Sequence, residues 1–380
     1  MNNKLVISTI GTSLLTNQIN RANPDEKTWY SQLRDAANLS ETETPIETRN
    51  IIQKLRLRAN RQLRENNIKK NRAISAELNG LYGLYENKLI SGKSDIHFLI
   101  STDTFQCHTT ATVIADFLQN HGLSSVQIYT PPGLSTTSNE SFSNGIDELI
   151  VWLRETIPPY RDSGYEIYFN LVGSFKSLQA YMNTIGMFYA DKILYIFEGE
   201  GAKLITIPRL PINLDCKAIE PHIIDFALMA AGSEMPVNDH IPESLVLKID
   251  QEMTLSTWGN LVWGECKTTL LSQELLALPR IEFENSFRQD YKKIHNIEEK
   301  IKLQETLAKA SYLLQQSQGD TGSLKKDGGL LYENYINKKT HGQTIGHFRI
   351  TQGLRVSCIA KDGKLVLRRY GVEELVNDHP

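Results

Sequence analysis

The sequence predicts an α/β chain. Its N-terminal part is a mostly parallel sheet, followed by a helical connector and a C-terminal α+β domain with an antiparallel sheet. Three observations predict this. Short apolar runs alternate with helical patterns up to about residue 210, which implies a parallel sheet covered on both faces. That alternation then stops. From residue 330 onward, short strands follow one another directly, with a strong hairpin turn at Asp362-Gly363.

The first strand, residues 5–10, runs straight into Gly11-Thr12-Ser13. Further strands are expected at 97–101, 126–129, 166–171, 193–197 and 203–207. Helical spacing fills 111–120, 146–156 and 176–189. Residues 46–86 form a long polar stretch rich in Asn and Arg, read as an amphipathic helix or hairpin on the sheet, with a lid or dimer-lining element as the alternative. The connector, 211–278, shows a helix around Ile223-Ile224-Asp225-Phe226 and another after Thr257. Residues 283–314 read as helix. Strands are then expected at 330–335, 344–350, 354–360 and 364–370. The domain boundaries are therefore 1–210, 211–278 and 279–380.

The chain has 380 residues, 40% hydrophobic and 22% charged, with a net charge of −3. That balance alone implies neither a nucleic-acid nor a membrane partner. Residues 323–370 depart from it, with ten Lys or Arg against three Asp or Glu, a local excess that suits a phosphate-bearing partner. Four cysteines are scattered without a CxxC pair, which suggests reduced, buried thiols and no structural zinc. No signal core or run of about 20 apolar residues occurs, so a cytoplasmic location is expected.

Three strand ends carry small or hydroxyl-bearing residues: Gly11-Thr12-Ser13, Ser101-Thr102-Asp103-Thr104 and Asn170-Leu171-Val172-Gly173-Ser174-Phe175-Lys176. Parallel topology puts all three at one sheet edge, where ligands of open α/β sheets bind. Taken singly, each also reads as an ordinary capped helix start. Neither a dinucleotide fingerprint nor a GxxxxGK[ST] loop is present.

Ile10-Gly11-Thr12-Ser13-Leu14-Leu15-Thr16-Asn17, with the two later clusters, resembles the CRISPR-associated Rossmann fold (CARF) domains. The resemblance covers about residues 1–210. It implies a homodimer that binds cyclic oligoadenylate, with cyclic tetra-adenylate favoured as allosteric activator and no cofactor or metal. It also implies a ligand site lined by Gly11, Thr12, Ser13, Asn17, Ser101, Thr102, Asp103, Gly173, Ser174 and Lys176. Some members cut their ligand with a hydroxyl and a lysine. Ser13 and Lys176 match those roles, so ring cleavage and binding alone both stay open. Ser174 stands where the commoner motif has a second glycine.

In the last domain, His347 and Arg349 share a strand face, and Arg355 lies on the next strand. Arg368, Arg369 and Tyr370 end the following strand, and Lys325 and Lys326 precede the sheet. Arg, Lys, His and Tyr converging in this way suit RNA cleavage by 2′-hydroxyl attack, which needs a base and charge stabilisation. A solvated basic face is the plainer reading.

Phe283, Phe287, Asp290 and Lys293, then Leu324-Lys325, Tyr332, Phe348-Arg349-Ile350, Arg355 and Val366-Leu367-Arg368 resemble the RelE/ParE toxin superfamily. Its RelE branch cuts messenger RNA in the ribosomal A site without metal. By that resemblance Arg355 matches the central arginine, while the terminal catalytic aromatic has no counterpart beyond Tyr370. The expected function is therefore a CRISPR ancillary endoribonuclease acting on messenger RNA at the ribosome. A ring nuclease and a ligand-responsive DNA-binding regulator are the rivals.

Overall fold

The computed structural model describes residues 2–135, 137–197 and 203–380. The chain divides into two compact units, Met1–Ile212 and Asn213–Pro380.

The first unit is built on six strands: β1 (Lys4–Thr9), β2 (Ile96–Ile100), β3 (Ser125–Tyr129), β4 (Glu166–Asn170), β5 (Lys192–Ile196) and β6 (Leu204–Pro208). Their spatial order is β3-β2-β1-β4-β5-β6. Every pair is parallel except β5 and β6. The central strand β1 is covered on both faces, so Leu5, Val6 and Ile7 are fully buried and so are the hydroxyls of Ser8 and Thr9 that follow. Strand order reverses between β1 and β4, so the crevice at their carboxyl ends is the natural ligand position.

Among the described residues this unit has eight α-helices. These are α1 (Ser13–Thr16), α2 (Trp29–Asp35), α3 (Ile46–Arg64), α4 (Ile68–Ile74), α5 (Ala76–Leu84), α6 (Phe105–Asn120), α7 (Asn139–Asp162) and α8 (Lys176–Tyr189). The polar stretch 46–86 thus resolves into three helices that pack down. In α3, the spacing of Ile51, Ile52, Leu55, Ala59 and Leu63 makes one buried stripe. Asn67 and Ser75 cap the next two helices, which breaks the stretch into pieces. Helix α5 is buried through Leu78, Leu81 and Tyr82, a degree of burial that its neighbours in sequence do not suggest.

In the second unit, strands β7 (Met235–Pro236), β8 (Val246–Ile249) and β9 (Glu252–Leu255) make a small antiparallel sheet in the order β7-β9-β8. Helices α9 (Ile223–Ala230) and α10 (Thr257–Leu271) flank it. The expectation of a purely helical connector at 211–278 is therefore corrected. Polar turn residues hide the short β8–β9 hairpin, which turns at Asp250, where φ is +55°. This segment also shares one apolar core with the rest of the unit, from Phe226 and Trp263 to Phe287, Leu307, Phe348 and Tyr370.

A five-stranded sheet follows, in the order β10-β14-β13-β12-β11, made of β10 (Ile281–Phe283), β11 (Glu333–Thr340), β12 (Gln343–Arg349), β13 (Leu354–Lys361) and β14 (Lys364–Val372). Four strands are antiparallel neighbours. The fifth, β10, runs parallel to β14 where a helix start is expected from the sequence. Helices α11 (Asn285–Lys292), α12 (Ile297–Gln316), α13 (Gly322–Lys326) and α14 (Glu373–Asp378) complete the unit. The β13–β14 turn has φ of +50° at Asp362 and +71° at Gly363, the paired left-handed geometry that tight hairpins need.

Cys216 and Cys266 form a disulfide, with a sequence separation of 50. This corrects the expectation that all four thiols are free. Residues so far apart give no local signal; the fold brings their Cα atoms to 5.4 Å. Cys107 and Cys358 are free and buried.

Candidate functional site

In the first unit, the turn after β1 and the turn after β4 touch. Thr9 Oγ1 donates to the Gly173 carbonyl at 2.5 Å. A Cβ added at Gly11 would lie 3.1 Å from the Ser174 amide, so glycine permits that approach. Ser174, where φ is +148°, occupies backbone that favours glycine, so its place in the motif is conformationally costly.

A residue absent from the sequence reading sits between these turns. Glu77, on α5, is fully buried. One carboxylate oxygen accepts the Gly11 amide at 2.7 Å. The other accepts the Ser75 hydroxyl at 2.7 Å and faces the Ser13 hydroxyl at 3.5 Å. A Cβ at Gly173 would meet that carboxylate at 2.2 Å, which explains a glycine there. Ser13 Oγ also accepts the Ala76 amide at 3.3 Å. The Gly11 amide, an expected anion donor, thus already serves an internal carboxylate. Nothing in the local sequence marks Glu77, because a glutamate in the first turn of a helix normally faces water.

Asn170 holds α5 from the sheet side, donating to Ser8 Oγ at 3.2 Å and to the Glu77 carbonyl at 3.1 Å. Asn17 donates to the Ile74 carbonyl at 3.2 Å. The Ser101 cluster, next along the edge, points largely inward. Ser101 and Thr102 are buried, Ser101 bonds the Thr102 carbonyl at 2.9 Å, and Thr104 caps α6. Only Asp103 of that cluster is exposed. Lys176 opens α8 with its side chain exposed, and Thr12 is half-buried at the head of α1. The structure therefore sets Gly11 against Ser174 and gathers Gly11, Ser13 and Gly173 around the Glu77 carboxylate. It places Ser101 and Thr102 beneath the surface.

In the second unit, register decides which cations meet. His347 lies opposite Ser357, and Arg349 opposite Arg355. Alternation puts these four on one face, while Phe348 and Val356 enter the helical core. Tyr335 of β11 lies against the His347 ring at 4.3 Å between centroids. Burial pushes the His347 imidazole below its usual range; Arg355 pushes the same way, and Glu333 and Glu373 oppose it. Burial also pushes the Tyr335 hydroxyl up to about 12. The Arg355 side chain is only 7% exposed and pairs with Glu373 at 3.1 Å.

The other expected members lie elsewhere. A one-residue shift between Ser357 and Cys358 in the β13–β14 pairing changes which β14 residues face the core. Tyr370 consequently points into that core, donates to Glu299 at 2.8 Å and packs against Phe287, on the face opposite His347. Arg369 turns to Asp290 at 2.7 Å, and Arg368 to Glu284 at 3.4 Å. Lys325 and Lys326 are exposed on α13, whose Leu324 is buried in the core beside α12. The sequence cluster of eight thus contracts to His347, Arg349 and Arg355. Glu373 and Tyr335 join them, and neither is singled out by local sequence.

Among the described residues no helix is long and apolar enough to cross a membrane, and no group of three or more His, Cys, Asp or Glu could hold a metal ion. Residues 72–210 match the family model described as CRISPR-associated protein (Cas_APE2256). The match lies within the parallel-sheet unit and spans well under half of the chain. It includes Glu77, Ser101–Asp103 and the Gly173 turn, and stops short of Gly11. It indicates a CRISPR-associated protein.

Proposed function

We propose that the chain is a signal-activated ribonuclease of type III CRISPR immunity. Its first unit binds a cyclic oligoadenylate, cyclic tetra-adenylate by preference, as a homodimer. Its second unit, whose sequence resembles the RelE branch, cleaves messenger RNA at the ribosome. The observation that carries this reading is the division of features between the units. The CRISPR family match falls on the unit whose turns gather at the β1–β4 switch point, and the clustered cations fall on a separate compact unit.

The chemistry follows from the side chains. A ribose 2′-hydroxyl attacks the adjacent phosphorus, forming the P–O2′ bond and breaking P–O5′. The products are a cyclic phosphate and a 5′-hydroxyl. His347, whose imidazole burial holds below its ordinary range, accepts the 2′ proton, and solvent water protonates the departing 5′ oxygen. Arg349 and Arg355 stabilise the charge that grows on the phosphoryl oxygens. Activation requires the ring to prefer the active arrangement by about 1–3 kcal/mol.

A cell-free translation extract tests this. Wild-type protein with cyclic tetra-adenylate should stop translation, and Arg349→Ala and Arg355→Ala should not. Translation that continues with ligand and wild-type protein refutes the reading. Ring cleavage is a second reading, favoured by the Ser13 hydroxyl held between the Ala76 amide and the Glu77 carboxylate. Linearisation of the nucleotide that disappears in Ser13→Ala would support it.

A further inference from the structure

The face that carries His347, Arg349 and Arg355 is covered at its Arg355 end, and the cover is helix α14. Helix α14 begins where the Glu373 amide donates to the Gly353 carbonyl at 3.0 Å. Glu373 Oε2 then accepts from the Arg355 guanidinium. One turn on, Val376 is buried. Tyr335 donates to Asn377 Oδ1 at 2.6 Å, and Lys338 bonds the Asn377 carbonyl. The helix therefore bridges the turn before β13 and the edge strand β11.

Arg355 has few donors left for a substrate. Its Nη1 is turned onto the carbonyls of Thr351 at 2.8 Å, Leu354 at 3.2 Å and Gln352 at 3.4 Å. Its Nη2 faces Glu373. A phosphate seeking the paired N–H edge of this guanidinium meets a carboxylate already there. Of the three carboxylates on helix α14, Glu373, Glu374 and Asp378, it is Glu373 that meets a cation of the sheet, and Glu374 and Asp378 are exposed. The Glu373 carboxylate on the Arg355 guanidinium stands where a single phosphate would bind.

The hold is also light. A six-residue helix has no stability of its own. Only Val376 is buried, Glu374, Leu375 and Asp378 are exposed, and the Glu373 side chain is 47% exposed. A segment held by one small apolar side chain, one half-exposed ion pair and three hydrogen bonds at its two ends opens more readily than the packed sheet beneath it.

We propose that α14 is an autoinhibitory latch: Glu373 occupies the guanidinium edge that an RNA phosphate would take, and the helix lifts when RNA binds. The proposal rests on the ribonuclease reading. It does not depend on that reading for its test, because the accessibility of Arg355 can be measured without RNA. The full chain is compared with Glu373→Gln and with a chain ending at Val372. Phenylglyoxal labelling of Arg355, followed by peptide mass spectrometry, reports exposure of the guanidinium. Activator-free inhibition of translation reports function.

Labelling of Arg355 should rise about fivefold in Glu373→Gln, the factor for losing about 1 kcal/mol of ion pair, and further in the chain ending at Val372, which also loses the buried Val376. Activator-free inhibition should rise with it. Increased labelling with no translation effect in any protein supports the latch and refutes the ribonuclease reading. Unchanged labelling in a folded Glu373→Gln protein overturns the latch. Increased labelling with ligand-dependent activity abolished in Glu373→Gln also overturns it, because Glu373 would then be part of the chemistry.

Discussion

Glu77 offers the sharpest test of how the first unit is held together. Its carboxylate joins α5 to the Gly11 amide and the Ser75 hydroxyl, both at 2.7 Å, with Ser13 at 3.5 Å. Hydrogen bonds to a charged group contribute about 1.5–3 kcal/mol each. Glu77→Gln keeps the volume but can accept at only one oxygen, so it sets an amide N–H against either Gly11 or Ser75. Relief of the buried charge offsets part of that loss, leaving a net cost of about 2 kcal/mol. Glu77→Ala loses every partner and leaves a hole, and should cost about 4 kcal/mol.

Local opening is the direct readout. Hydrogen exchange followed by mass spectrometry, in a peptide covering residues 5–17, should speed up about thirtyfold in Glu77→Gln, the factor equivalent to about 2 kcal/mol. Affinity for cyclic tetra-adenylate, measured by calorimetry, should fall by up to the same factor, because binding must then order the turns it needs. Unchanged exchange in Glu77→Gln would refute the view that this carboxylate fixes the turns. Tighter ligand binding by Glu77→Gln would show instead that Glu77 blocks an anion site.

Three further outcomes are expected. His97 is fully buried against Tyr85, and burial holds its imidazole down at about 4, against 6.5 for a free one, with Asp95 opposing. Between those values the unfolded chain binds more protons than the native one, so acidification through pH 6.5 to 4 should remove up to about 3 kcal/mol of stability. The pH slope of the urea midpoint should flatten in His97→Gln, and an unaltered slope would discount His97. Reducing the Cys216–Cys266 bridge, which closes a loop of 50 residues, should destabilise the second unit by about 4 kcal/mol, read from denaturant unfolding with and without reductant. Ser174→Gly should release the backbone cost at φ +148° and stabilise the first unit by about 1 kcal/mol, seen as a higher urea midpoint.

Much of the fold was legible because it depends on local pattern. Short apolar or alternating runs located all six strands of the first sheet to within a residue or so; the inner strands β1, β2 and β4 are largely apolar because both their faces are buried, and the edge strands β3 and β6 are only partly buried. Asp362-Gly363 predicted its hairpin because few other residues accept two left-handed conformations in succession. The turns at Gly11 and Gly173 were legible for a related reason: a close approach of backbones needs small residues.

The candidate sites were legible only in part. Composition put His347, Arg349, Arg355, Arg368, Arg369 and Tyr370 in one group. Which face each occupies depends on strand register, and the shift between Ser357 and Cys358 sends Tyr370 to the opposite side. The partners of Arg355 and Gly11 were invisible for the same kind of reason. Glu373 and Glu77 look like solvated helix charges, and only folding turns them inward onto a guanidinium and an amide.

By itself, then, the sequence determined the alternation of strands and helices, the positions of the tight turns and the supply of cations in the last hundred residues. These follow from short-range sterics and from periodic burial. The tertiary structure alone decided that 211–278 shares a core with the C-terminal sheet, that Cys216 meets Cys266, and which charges face one another. Such pairings join residues tens of positions apart, and their energies exist only once the chain has closed the loops between them.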